Sequence, residues 1–127
     1  MGYLIDTHTF LWFINGSTEL SERAKNIIKS HENVIYLSIA SFWEIAIKLS
    51  IGKIAIDMSF NDLKKEADEN DIRILPIQYE DTFLLTTLEL HHKDPFDRIL
   101  ISQGIQNNLM IITKDSNFDA YPVKIIW

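Results

Sequence analysis

Short apolar runs alternate with amphipathic stretches along the whole chain. Runs rich in β-forming residues predict strands at positions 3–5, 34–37, 72–75, 109–112 and 123–127. Caps, acidic first turns and apolar positions at helical spacing predict helices at 10–14, 21–29, 38–48, 60–69, 81–90 and from 95 to about 107. A short turn or helix is expected at 118–121. This alternation predicts an α/β fold with a central, mainly parallel sheet of four to five strands and helices on both faces.

The stretch 92–98 has the features of a helix start. Asp94 can accept hydrogen bonds from the free N–H groups of the first turn, and Pro95 suits the first helical position. Asp97 follows at the spacing of a capping-box carboxylate. One cap is sufficient, so Asp94 is predicted to be the structural cap, and Asp97 is either a second cap or a cation ligand.

Four acids are expected at one edge of the sheet. Asp6 and Asp115 follow predicted strands, Glu44 lies in the early turns of the next helix, and Asp97 starts the helix that leads into the fourth strand. Right-handed crossovers bring these positions to the carboxyl edge of a parallel sheet, where open α/β folds bind ligands. Clustered carboxylates repel one another unless protons or metal ions intervene, and oxygen ligands favour Mg²⁺ or Mn²⁺. The pattern therefore predicts a metal site suited to phosphodiester hydrolysis.

Each acid also has a purely structural explanation. Glu44 and Asp97 stand three residues after possible capping residues, and Asp115 can cap the turn that follows it. Asp6 is the acid for which capping is least expected, because it directly follows an apolar strand. The convergence of all four, rather than any one of them, favours the metal site.

Several neighbours of the acids are candidates for contacts to them or to a substrate. Thr7 and His8 follow Asp6, although a histidine at a helix start is more often structural. Arg98 either pairs with Asp94 or contacts a phosphate. The remaining histidines next to the helix start, His91 and His92, are expected to be solvated.

Composition limits the alternatives. The chain has 127 residues, 46% of them hydrophobic, which is enough for one domain spanning 1–127 with a single well-buried core. It contains no cysteine, so disulfides and thiolate metal sites are excluded, and a cytoplasmic location is expected. The residues at the amino end lack the basic flank and the long apolar run of such segments, so we expect neither a signal peptide nor a membrane span there. The net charge of −6 disfavours nucleic-acid binding by a broad basic surface but not by a metal-assisted site.

These motifs together resemble the PIN domain family, specifically the VapC-type toxin ribonucleases of bacterial toxin–antitoxin pairs. The resemblance covers essentially the whole chain. It rests on four groups of residues: 4–8; 41–48 with 52–53; 92–98 with 101–103; and 113–115 with Phe118, Tyr121 and Trp127. Two departures leave the acids untouched. Lys93 stands where the family pattern has Arg, and Gly104 stands where it has Ala.

The resemblance implies a three-layer PIN-like nuclease domain and a metal-dependent endoribonuclease. Its catalytic and metal-binding residues would be Asp6, Glu44, Asp97 and Asp115, and Thr113 would line the site. The cofactor would be Mg²⁺ or Mn²⁺. The partners would be an RNA substrate, a second copy of the chain in a homodimer, and a cognate antitoxin that occupies the cleft. Transfer, ribosomal and messenger RNA all stay open as targets.

Two other functional hypotheses compete with the nuclease. A haloacid-dehalogenase-type phosphatase also places an Asp after its first strand, but it needs a second Asp two residues later, where this chain has His8. A non-catalytic PIN-like module would keep the fold for binding or dimerisation. The presence of all four acids argues against that second hypothesis.

Overall fold

Five strands and six helices account for most of residues 1–127, all of which the computed structural model describes. The strands are β1 (Gly2–Ile5), β2 (Val34–Ser38), β3 (Ile72–Leu75), β4 (Met110–Ile112) and β5 (Ile125–Ile126). The helices are α1 (Thr7–Asn15), α2 (Glu22–Lys29), α3 (Ile39–Ser50), α4 (Phe60–Glu69), α5 (Tyr79–Leu85) and α6 (Pro95–Gln106). A 3₁₀ segment covers Ser116–Ala120. None of the helices has the length and apolar character required to cross a membrane.

The strands form one parallel sheet in the order β3-β2-β1-β4-β5, which places β1 at its centre. Ile5, the last residue of β1, lies beside Leu37 of β2 and Ile112 of β4. The carboxyl ends of the three central strands are therefore level with one another. The predicted α/β fold with a parallel central sheet is confirmed.

Alternate residues of β1 enter two separate cores, as the pleat of a strand requires. Ile5 belongs to the larger cluster, to which α1, α2, α3 and α4 contribute buried side chains. Leu4 belongs to the smaller cluster, which is closed by Leu100 of α6 and by Phe118 of the 3₁₀ segment. Helices therefore cover both faces of the sheet and give the three-layer arrangement.

The structure differs most from the sequence prediction at three elements, α1, α5 and β5. Helix α1 begins at Thr7 rather than at Phe10, because Asp6 caps it directly. Helix α5 ends at Leu85 instead of continuing to Leu90. The end of the helix closes in a tighter turn, in which the Thr86 N–H donates to the Phe83 carbonyl at 3.0 Å and the Thr87 N–H to the Leu84 carbonyl at 3.1 Å. In the loop beyond it, the carbonyl groups of Leu88 and Glu89 accept hydrogen bonds from Arg98. Strand β5 has only two residues because it pairs with the short strand β4 alone.

Gly104 allows close packing between α6 and the strand that follows it. A Cβ atom at this position would lie 3.0 Å from Val123 Cγ2 and 3.1 Å from Ile111 Cδ1. Contacts this short would require the side chains of Val123 and Ile111 to move by a few tenths of an ångström. The absence of a side chain at Gly104 therefore leaves room for the side chains of Val123 and Ile111.

Asp94 caps α6, and its loss should cost stability. Its Oδ1 accepts hydrogen bonds from the backbone N–H groups of Phe96, at 2.8 Å, and Asp97, at 3.1 Å. We expect Asp94→Ala to lower the free energy of unfolding by about 1 kcal/mol, because two N–H groups lose their acceptor. Urea unfolding measures this change. The exposed Asp57, which caps no helix, provides the control Asp57→Ala, and equal losses in the two variants would contradict the capping role.

Candidate active site

The side chain of Asp6 connects three elements at the carboxyl edge of the sheet. It follows β1, and its Oδ1 caps α1 by accepting a hydrogen bond from the Thr9 N–H at 2.9 Å. Its Oδ2 accepts a 2.6 Å hydrogen bond from the hydroxyl of Thr113, just beyond β4. The expectation that Asp6 was the acid least explained by capping was therefore wrong. Asp6 is a cap and also faces the other acids.

Burial raises the pKa of Asp6 above its ordinary value, although the hydrogen bonds from Thr113 and Thr9 and the charge of His8 oppose this effect. A buried carboxylate in this environment is costly when ionised. A proton or a neighbouring cation would offset that cost.

Thr113 links Asp6 to Asp115. Its buried hydroxyl donates to Asp6 and accepts a 3.0 Å hydrogen bond from the backbone N–H of Asp115. Asp115 Oδ1 then accepts from the N–H of Asn117, at 2.9 Å, and so caps the 3₁₀ segment. One carboxylate oxygen of Asp115 is used by the cap, and the other has no hydrogen-bond partner.

Asp97 lies in the first turn of α6 and is paired with His92. The imidazole Nε2 of His92 lies 2.7 Å from Asp97 Oδ2, and the two side chains retain only 18% and 21% of their exposure. Burial raises the pKa of Asp97 from 3.8 to about 6, against the hydrogen bond from His92. The negative charge of Asp94 and, least of the causes, that of Asp6 also raise it.

His92, Asp97 and Asp115 form the tightest group of possible metal ligands. One ligand atom from each of the three lies within 4.8 Å of the others. The expectation that His92 would be solvated was wrong. The signal that could have identified this histidine was its position as the first residue of the stretch 92–98, which carries Asp97 and part of the family resemblance.

Asp6 borders this group without belonging to it. A shallow cleft of about 220 Å³ is lined by Asp6, His8, Trp12, Lys114 and Asp115. His8 is exposed, with its ring centre 5.8 Å from that of Trp12. The cleft opens beside the two acids that follow β1 and β4, so a substrate group entering it would reach both.

Glu44 is buried, and it is not a member of the group formed by His92, Asp97 and Asp115. Its Oε1 accepts a 2.6 Å hydrogen bond from the hydroxyl of Thr7, and its Oε2 forms a 2.7 Å ion pair with Lys48. The cap of α3 is Ser38, so the capping-box alternative between Ser41 and Glu44 was wrong. The Ser41 hydroxyl instead lies 2.9 Å from that of Thr7. Thr7 thus links Glu44 to the chain segment that carries Asp6.

Arg98 neither pairs with Asp94 nor points a free guanidinium at the cleft. It donates to the carbonyl oxygens of Leu88, at 3.2 Å, and Glu89, at 2.9 Å, and to the hydroxyl of Tyr121, at 3.1 Å. The expected ion pair with Asp94 was therefore wrong, whereas a contact between Arg98 and a substrate phosphate stays a prediction. Arg98 fixes the loop between α5 and α6 against α6.

The donor set fits a divalent cation. Asp97 and Asp115 offer carboxylate oxygens, His92 offers an imidazole nitrogen, and Asp6 adds negative charge nearby. No lysine or arginine forms an ion pair with Asp6, Asp97 or Asp115. A cation placed among them would favour their ionised forms against the burial that opposes ionisation.

The raised pKa of Asp97 predicts a pH-dependent stability in the absence of metal. Below pH 3.8 the Asp97 carboxyl is protonated in both the folded and the unfolded chain. Between pH 3.8 and about 6 the unfolded chain releases this proton while the folded chain still holds it, so the free energy of unfolding falls as the pH rises. We therefore expect Asp97→Asn to be more stable than the wild type at pH 7, by about 1–2 kcal/mol after allowance for partial exposure. The difference should vanish near pH 4. Urea unfolding in a chelator at both pH values measures it, and an advantage independent of pH would contradict the assigned cause.

Comparisons with known proteins agree with this architecture. Similar solved structures include VapBC2 from Rickettsia felis bound to a DNA fragment from its promoter, with 16% identity, 99% of this chain and 98% of that chain covered, and a TM-score of 0.73. FitAcB from Neisseria gonorrhoeae is 18% identical, and the match covers 100% of this chain and 97% of that chain with a TM-score of 0.66. VapBC-5 from Mycobacterium tuberculosis, a member of the VapBC family of toxin–antitoxin systems, has 17% identity, 98% and 97% coverage and a TM-score of 0.63. At these identities the likeness demonstrates a shared fold.

No protein of curated function matches the chain in sequence. The family model of the PIN domain, in contrast, matches residues 3–124. That match covers β1 through Lys124, including every acid at the carboxyl edge of the sheet. The chain therefore belongs to the PIN domain family.

Proposed function

We propose that the chain is a metal-dependent endoribonuclease that hydrolyses phosphodiester bonds in RNA. The observation that carries the proposal is the clustering of Asp97 and Asp115 with His92, beside the buried Asp6, at the carboxyl edge of the sheet. Residues 1–127 would form a single nuclease domain. The proposed catalytic and metal-binding residues are Asp6, Glu44, Asp97 and Asp115.

The four acids have unequal structural support. Asp97 and Asp115 are supported by the short distance between their carboxylate oxygens, within 4.8 Å. Asp6 is supported by the cleft that it shares with Asp115 and by the effect of its charge on the pKa of Asp97. Glu44 would contribute through Thr7 or after release from Lys48. We propose Mg²⁺ or Mn²⁺ as the cofactor, since carboxylate oxygens suit both ions.

A divalent cation bound there would polarise a phosphoryl oxygen and lower the pKa of the attacking water. The chain's own residues would orient these groups. Thr113 fixes both Asp6 and the turn that carries Asp115, and Asp94 fixes the first turn that carries Asp97. At pH 7 the Asp97 carboxyl, with its pKa of about 6, would be mainly ionised and ready to accept a cation.

The lysine beside the acids supports an anionic substrate. Lys114 and the exposed His8 line the same cleft as Asp6 and Asp115. Lys114 also lies 2.9 Å from the exposed Glu19, an ion pair that solvent screens and that costs little to exchange for a phosphate. The net charge of −6 therefore does not prevent local phosphate binding.

We further propose that the nuclease is the toxin of a toxin–antitoxin pair that inhibits translation or growth in the cytoplasm. The support is structural likeness to proteins described as toxin–antitoxin complexes, including one from Klebsiella pneumoniae. The partners would be a cognate antitoxin and a second copy of the chain. An exposed apolar stripe at four-residue spacing along α3 offers a surface that such a partner would cover: Ile39, Trp43, Ile47 and Ile51.

The main alternative is a non-catalytic PIN-like binding or dimerisation module. That function would require the fold and its apolar stripe but not an ion-binding arrangement of His92, Asp97 and Asp115. A haloacid-dehalogenase-type phosphatase is a weaker alternative, because His8 occupies the place of its second Asp and lies exposed at the cleft.

Neutral replacement of the acids tests the nuclease. We expect Asp6→Asn and Asp97→Asn each to abolish Mg²⁺-dependent RNA cleavage, because each removes a negative charge needed to hold the cation. End-point gels and sequencing of the cleavage ends measure the loss and identify the target RNA. Asp119→Asn, at an exposed aspartate of the 3₁₀ segment, should cleave like the wild type.

Circular dichroism would establish that each variant is folded. Undiminished cleavage by both folded site variants would overturn the proposed mechanism. Absence of cleavage by the wild type with any RNA and either ion would favour the non-catalytic module.

The toxin proposal predicts a neighbouring antitoxin gene. We expect a short open reading frame next to the gene for this chain, and we expect its product to co-purify with the chain and suppress RNA cleavage. Co-expression with affinity capture of the tagged chain measures both effects. A gene neighbourhood without such a frame would count against the toxin role while leaving the nuclease proposal intact.

A further inference from the structure

We propose that His92 is itself a ligand of the divalent cation, which makes this a mixed imidazole–carboxylate site rather than an all-carboxylate site. The inference rests on the proposed function in one respect, namely that a cation occupies the acidic cluster. It adds a ligand that none of the four acids provides. It also predicts which ions the site prefers.

The geometry of the cluster carries the inference. His92 Nε2 lies 2.7 Å from Asp97 Oδ2, and both atoms lie within 4.8 Å of an oxygen of Asp115. Adjacent ligands on an octahedral ion with bonds of about 2.1 Å are separated by about 3 Å. The 2.7 Å contact is a hydrogen bond, so a cation that binds both atoms would take the place of the proton between them, with only a small increase in their separation. Asp6 and Glu44 are not members of this group.

The backbone around His92 is fixed by groups outside the cluster. The hydroxyl of the buried Tyr121 accepts hydrogen bonds from the N–H groups of His91, at 3.0 Å, and His92, at 2.8 Å. Arg98 donates to the same hydroxyl and to the carbonyl oxygens of Leu88 and Glu89. None of these partners belongs to the cluster, so the backbone of His92 is positioned independently of the other ligand groups.

An imidazole ligand changes the preferred ion. Carboxylate and water oxygens suit Mg²⁺, whereas imidazole nitrogen binds first-row transition ions better. Mg²⁺ also gives up its water ligands reluctantly. A site containing His92 should therefore bind Mn²⁺ more tightly than Mg²⁺, and the difference should shrink when the imidazole is removed.

Pulsed electron paramagnetic resonance of Mn²⁺ bound to the full-length chain tests this ligand directly. We expect ¹⁴N modulation from a bound imidazole in the wild type and its loss in His92→Gln. His91→Gln and His8→Gln are matched controls, since His91 is adjacent in sequence and His8 lines the neighbouring cleft, and both should keep the modulation. Titration calorimetry should show Mn²⁺ affinity falling on the order of tenfold or more in His92→Gln, with a smaller change for Mg²⁺.

The possible outcomes separate this inference from the nuclease proposal. If Mn²⁺ binds the wild type without ¹⁴N modulation, His92 only orients Asp97 and the inference is overturned, while cleavage by the wild type still supports the nuclease. Modulation that persists in His92→Gln but disappears in His8→Gln would assign the imidazole to the other side of the cleft and would also overturn it. Absence of Mn²⁺ binding in a folded wild type would remove both the ligand and the proposed cofactor.

Discussion

Burial of negative charge at the carboxyl edge of the sheet is the constraint on which the candidate site depends. Asp6 follows the central strand, so its carboxylate enters the interior where β1, α1 and the end of β4 meet. Hydrogen bonds from Thr9 and Thr113 hold it there but do not compensate fully for the loss of water, and its pKa rises. The fold therefore places a charge where it is costly, and the cost falls when a cation binds.

The site is built from short segments that each perform two tasks. Asp6 ends a strand and caps a helix, Asp115 caps the 3₁₀ segment, and the N–H group of Asp97 is itself bound by the cap of α6. Because each acid is fixed through its own backbone element, the separation of the carboxylates depends on how α6 packs against the sheet, where Leu100 and Ile101 contact the cluster that contains Leu4 and Ile111. The caps limit the freedom of each side chain.

Local sequence patterns predicted the parts of this arrangement that depend on local structure. The β-forming runs gave the strands, the parallel topology aligned their ends, and Asp94 with Pro95 marked the start of α6. The pattern failed where a distant group decides the outcome. Helix α5 is followed after Leu85 by a loop whose Leu88 and Glu89 carbonyl oxygens accept hydrogen bonds from Arg98, further along the chain. His92 meets Asp97 because Tyr121, about thirty positions later in the chain, holds its backbone.

The stretch 92–98 therefore has a different organisation from the one its pattern suggested. Asp94 and Pro95 set the first turn of α6, and Asp97 presents its carboxylate from that turn. Arg98 lies among the site residues in sequence, yet its guanidinium supports the loop that carries His92. Two of the three clustered donor groups thus come from one seven-residue stretch, and the third, Asp115, is fixed through Thr113.

Charge balance distinguishes Glu44 from the other acids. Glu44 has a lysine as its direct partner, and its second oxygen accepts a hydrogen bond from Thr7, so its charge is already balanced in the folded chain. Asp97 and Asp115 have no such lysine or arginine, and the charge of Asp6 raises the pKa of Asp97 further. The negative charge that no lysine or arginine balances thus lies at Asp97 and Asp115, at the carboxyl edge of the sheet. A first cation would gain most there, whereas binding at Glu44 would first require displacement of the Lys48 ammonium.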